Sequence, residues 1–147
     1  RLLILASEDV GNANPQALVV ANSCYQAVHS IGYPECRITL SQCTIYLATS
    51  AKSNASYAAI GEAQAKVRET GDLSVPLHIR NAPSKLMKDL GYGKDYKYAH
   101  SYDGSFTDQE FLPEEISGHT FYNPGKNKRE SAIKDWLKSI WGKRYDY

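Results

Sequence analysis

Residues 75–100, VPLHIRNAPSKLMKDLGYGKDYKYAH, restrict the folds open to this chain more than any other stretch. For most of its length this segment keeps neither the helical nor the strand period of apolar residues. Pro76 and Pro83 remove backbone donors, and Gly91 and Gly93 mark turns. A segment of this kind cannot bury a face of its own, so the elements around it must dictate its shape. Near its end lysines alternate with tyrosines, in the order Tyr92, Lys94, Tyr96, Lys97, Tyr98.

The surrounding sequence reads as helical. Residues 2–10 form the end of a helix with Leu2, Leu3, Ala6 and Val10 on one face, stopped by Gly11. Asn14 is the expected N-cap of a second helix, with Pro15 at its first position, running to about Ser30 and stopping near Gly32. Leu18, Ala21, Tyr25 and Val28 make one stripe on it; Val19 and Val20 widen the stripe, so burial on more than one side is expected. Thr39-x-x-Gln42 has the form of a capping box and opens a helix presenting Leu40, Cys43, Thr44 and Leu47. An alanine-rich helix from Ser53 or Asn54 to Arg68, stopped by Gly71, pairs with it as an αα-hairpin.

Beyond Asp72 the pattern predicts a short helix over 84–90 turning Leu86, Met87 and Leu90 inward. A short strand over 96–100 and a turn at Asp103–Gly104 follow. Residues 108–115 hold four carboxylates and no basic residue. The chain closes on an amphipathic helix over 128–141 lined by Ile133, Trp136, Leu137, Ile140 and Trp141. The expected fold is mainly α, a single domain with a helical part (1–71), an irregular part with at most short strands (72–124), and the C-terminal helix within 125–147.

At 147 residues the chain is long enough for one sizeable core. Its net charge of +1 supplies no global field for nucleic acid. No apolar run approaches the ~18 residues of a membrane span. The start lacks an initiator methionine and a cleavage motif, and reads as the cut end of a longer protein. Cys24, Cys36 and Cys43 are odd in number and lack metal-type spacing, which fits reduced thiols.

Catalytic motifs are absent. Gly91-Tyr-Gly93-Lys94 lacks the spacing and the following hydroxyl of a phosphate-binding loop, and no short-spaced pair of metal ligands occurs. Two features carry functional weight. Lys94, Tyr96, Lys97 and Tyr98 interleave cations with aromatic rings, the combination that grips single-stranded nucleic acid; equally, the tyrosines can fold their own segment onto the helices. Residues 125–147 hold seven Lys/Arg against three acids, a net +4 that includes Lys126, Lys128 and Arg129. That helix can contact phosphate or a partner, or dock by its apolar face and show its charges to water.

Four blocks, in order, resemble the C-terminal domain of RarA/MgsA-type AAA+ ATPases, bacterial relatives of the Werner-helicase-interacting protein. They are ASEDVGNANPQAL (6–18), RITLSQCTIYLATSAKSNASYAA (37–59), residues 75–100, and QEFLPEEISGHTFYNP (109–124). One step departs from the pattern: Lys128-Arg129-Glu130 stands where the family commonly has Gly-x-Glu. The resemblance implies a mainly α-helical domain related to the clamp-loader collar. It further implies a homotetramer, and a cytoplasmic, nucleoid-associated parent that acts at replication forks through DNA-stimulated ATP hydrolysis. ATP and magnesium belong to that parent; this fragment is expected to need no cofactor and to catalyse nothing by itself. On this reading Leu18, Val19, Tyr25 and Leu47 are the candidates for the oligomer interface. Lys94, Tyr96, Lys97, Tyr98, Lys126, Lys128 and Arg129 are candidates for contact with DNA or a partner.

Overall fold

A computed structural model describes residues 1–147 and contains six helices and no strand. They are α1 (Leu2–Leu5), α2 (Gln16–Ile31), α3 (Cys36–Ala48), α4 (Ala55–Thr70), α5 (Lys85–Asp89) and α6 (Lys128–Trp141). The mainly α expectation therefore holds. The chain gathers into two units, one made of residues 1–65 and 121–136, the other of 66–120 and 137–147.

In the first unit α1 runs on through a π-helical turn (Ala6–Val10) and a short 3-10 turn (Gly11–Ala13). The core is built from Ala6, Val10, Ala17, Ala21, Cys24, Cys43 and Leu47, with Leu2, Leu3, Leu5, Val20, Val28 and Tyr46 packed around it. Ala17, Ala21 and Cys24 are small and share one face of α2, so α3 approaches it closely. Cys24, Cys36 and Cys43 are unpaired and buried, and the first and last of them fill this core as small hydrophobes.

Several local expectations change here. Helix α3 begins at Cys36 rather than Thr39, because Pro34 and Glu35 already provide its first turn; Thr39 lies inside and its carbonyl accepts from the Cys24 thiol. The hairpin partner of α3 is α2, not α4, which buries no residue at all. Asn14 has the non-helical backbone of an N-cap (φ −149°), yet its side chain donates instead to Tyr46 Oη at 3.0 Å and Ser50 Oγ at 3.1 Å on the α3 side.

Ser53 joins three parts of this unit. Its N–H donates to the Asp9 carbonyl at 2.8 Å, and its hydroxyl accepts from the Ala55 N–H to start α4. A side chain at Gly11 would meet the Ser53 carbonyl oxygen at 2.6 Å, so glycine is required there for this close crossing as well as for its positive φ.

The second unit is organised by the extended segment 106–112. Thr107 and Gln109 are buried, while Phe106 and Phe111 turn their edges to Trp141 at 4.7 and 6.4 Å between ring centres. The acidic stretch thus forms the spine of the unit. Arg144 Nε donates to Asp108 at 2.7 Å, and Tyr145 Oη donates to Glu110 at 2.5 Å. The strand expected at 96–100 is replaced by a 3-10 turn, Ala99–Ser101, since no neighbouring strand exists to pair with it. Helix α5 forms as expected, capped by Ser84, but Leu86 and Leu90 face outward.

Candidate functional site: an apolar helical face and an aromatic, basic groove

The four interface candidates separate at once. Leu47 is wholly buried in the core of the first unit, so it belongs to the fold and to no open surface. Leu18, Val19 and Tyr25 are exposed along α2, at 45%, 57% and 54%. Leu18 borders a depression of about 490 Å³ with Leu3, Ile4, Tyr57 and Ile60. Tyr25 borders a second, of about 180 Å³, with Leu2, Leu3, Val28 and Leu40. Leu3 lines both, so they form one apolar surface across α1, α2, α3 and α4. Ile38 and Ile45 add further exposed aliphatic surface on α3.

Glu130 is the residue that sequence reasoning missed. It is fully buried in the first unit. Its carboxylate accepts from Tyr122 Oη at 2.9 Å and Asn127 Nδ2 at 2.5 Å, and also from the Ser53 hydroxyl and the Gly125 N–H. Burial alone would push this carboxyl up; the four donors outweigh it and hold the group below the ordinary carboxylate range. The Glu130 N–H in turn donates to Asn127 Oδ1 at 3.0 Å, a reciprocal cap at the start of α6. Asn127-x-x-Glu130 was a visible signal for it. A side chain at Gly125 would sit 2.6 Å from the Glu130 carboxylate, so the turn before α6 needs glycine there. That Glu130 anchors α6 in the first unit without a glycine at Lys128 answers the departure noted in the sequence.

Lys126, Lys128 and Arg129 are exposed in the first unit beside this cap. Lys94, Tyr96, Lys97 and Tyr98 are exposed in the second, and form a separate group. Tyr96 and Tyr98 do not fold this segment inward, being 52% and 59% exposed, whereas Tyr92 is half-buried against Arg80. What fixes the loop is Gln109. Its buried amide accepts from the Lys97 N–H at 3.4 Å and donates to the Asp95 carbonyl at 3.3 Å, gripping the backbone on both sides of Tyr96. Asp95 lies at φ +63°, a strained conformation that this grip maintains.

The loop does not fit a nucleotide phosphate. The N–H groups of Gly91, Tyr92, Gly93 and Lys94 already donate to the carbonyls of Lys88, Met87, Leu77 and Gly91, which leaves no cradle of free donors. His78 Nε2 is likewise engaged, 2.7 Å from the Glu110 carbonyl.

Glu110 is the electrostatic centre of the second unit. Burial raises its pKa, but the Tyr145 hydroxyl, the Leu112 N–H, the Ser117 hydroxyl and the Phe111 N–H together bring it down to about 2 from 4.5. A depressed folded value means stability that is fully present above pH 4.5 and lost as pH falls toward 2, at most about 3 kcal/mol. Tyr145 shifts the opposite way: burial and then its bond to Glu110 hold the phenol protonated, so its contribution is present below pH 10 and lost above it. Melting temperature followed against pH should show a plateau between these limits. Glu110→Gln should flatten the acid limb, and an unchanged limb would show that Glu110 is not its source.

With this geometry in place, comparison with known proteins is decisive. Residues 1–141 match the family described as MgsA AAA+ ATPase C terminal. The chain belongs to that family. Replication-associated recombination protein A of Coxiella burnetii is 44% identical over 139 residues, covering 94% of this chain and 32% of the relative. The protein of the same name in Escherichia coli K12 is 42% identical over 138 residues, 93% of this chain and 31% of its own length. ATPase WRNIP1 of Dictyostelium discoideum is 44% identical over 123 residues, 83% of this chain and 14% of the relative. This MgsA C-terminal sequence thus spans about a third of the bacterial relatives.

Proposed function

We propose that this chain is the self-association domain of a longer AAA+ ATPase that works in replication-associated recombination, and that it assembles as a tetramer. Supporting this is the continuous apolar surface around Leu3, Leu18, Tyr25 and Tyr57, with Leu18, Tyr25 and Tyr57 themselves exposed. Closed symmetric association would cover that surface and set four ATPase modules around DNA. ATP and magnesium would be held by the rest of the parent; in this chain the Gly91–Lys94 loop is closed to a phosphate, its N–H groups being bonded to carbonyls. Relatives named for replication-associated recombination supply the process.

Light scattering on the 147-residue chain should give about four times the 16.4 kDa chain mass. A monomer whose mass stays constant across concentration would overturn the proposal.

A further inference from the structure

We infer that the second unit carries a binding site for an unstacked base of single-stranded nucleic acid, in the groove between residues 78–82 and Tyr96. The groove has a volume of about 500 Å³ and is lined by His78, Arg80, Asn81, Gly93, Tyr96 and Phe111. It is independent of self-association, and a monomer would bind equally well.

Three observations carry it. Tyr96 and Phe111 border the groove and are about half exposed, at 52% and 45%, so two ring surfaces are open to a ligand rather than consumed by packing. Stacking on such rings accepts any base, because every base has a π face. Second, the groove is built in advance. Gln109 clamps the backbone on both sides of Tyr96, and the Gly93 N–H donates to the Leu77 carbonyl at 2.8 Å, tying the two walls together. Arg80 is held by its bonds to the Val75 carbonyl at 2.5 Å and Tyr92 Oη at 3.3 Å, with its guanidinium over the Tyr92 ring. Two of its five N–H donors are engaged there, leaving others for a phosphate or a base edge.

Third, cations flank the ring that would stack. Residues 75–102 contain Arg80, Lys85, Lys88, Lys94 and Lys97 against Asp89 and Asp95, a net +3 in a chain whose total is +1. Lys94 and Lys97 are exposed and flank Tyr96 in the sequence, a supply of cations for the phosphates next to a stacked base. An aliphatic pocket for a peptide would not need flat rings flanked by cations in this way.

The test uses the whole 147-residue chain and fluorescence anisotropy with a labelled 15-mer of deoxythymidine, beside an abasic strand of equal length, at about 50 and 200 mM salt. The thymidine strand should bind roughly tenfold more tightly than the abasic one. Tyr96→Ala should weaken binding about tenfold with an unchanged melting temperature, and Tyr96→Phe should restore it, since stacking needs the ring and not the hydroxyl. Lys94→Gln and Lys97→Gln should each lower the salt slope by about 0.7. Equal binding of the two strands, or Tyr96→Ala binding like the wild type, would overturn the inference. So would an acidic peptide ending in an aromatic residue that binds where the thymidine strand does not, because the groove would then be a peptide site.

Discussion

Glu130→Ala should destabilise the first unit by about 3–5 kcal/mol, a large share of the stability of an ordinary domain. The carboxylate is fully buried, and its removal strands four donors at once: the hydroxyls of Tyr122 and Ser53, the Asn127 amide and the Gly125 N–H. At the half-buried depth of these residues each donor left without a partner costs about 1 kcal/mol, and the vacated volume adds a cavity term. Glu130→Gln should cost less, because the amide keeps one acceptor oxygen while setting its own N–H groups against donors. Urea unfolding followed by tryptophan fluorescence would read both. If both variants unfolded within 1 kcal/mol of the wild type, the four donors would have to reach water when the carboxylate is lost, and the anchoring role would fall.

The second large effect concerns assembly. Leu18→Asp and Val19→Asp should each reduce the scattering mass about fourfold while leaving helix content and unfolding midpoint within about 0.5 kcal/mol of the wild type. Both side chains are exposed in the single chain, so a carboxylate there costs the fold little. In a covered interface the same carboxylate would be desolvated without a partner, at a cost of several kcal/mol for each contact. Leu47→Asp is the control: in the core it should unfold the first unit rather than merely dissociate it. A tetramer that survives both surface substitutions with normal melts would place the interface elsewhere on the molecule.

The features legible in the sequence are those whose cause is local. Helix α6 spans the residues expected, because its apolar spacing is a property of consecutive residues. Gly32, Gly71 and Gly91 each end a helix at positive φ, as their positions indicated. The family blocks were legible for a related reason, since they are contiguous strings. Where a local signal misled, a longer-range partner had intervened. Thr39-x-x-Gln42 has the form of a cap, but Pro34 opens α3 one turn earlier and Thr39 is left facing Cys24. Leu86 and Leu90 share a face, but no element of the second unit comes to cover it.

Taken alone, then, the sequence determined a mainly helical chain, its family, and the positions of its helix stops. Tertiary structure alone decided which polar groups lie inside. Glu130 is buried because Ser53, far back in the chain, arrives with Tyr122 and Gly125 to donate to it; Glu110 becomes an ionised centre because Tyr145 and Ser117 reach it. The same holds for Leu47, hidden, and Leu18, open, which the helical pattern ranks together. Periodicity reports which side chains share a face. Whether that face meets protein or water depends on what the rest of the chain places against it.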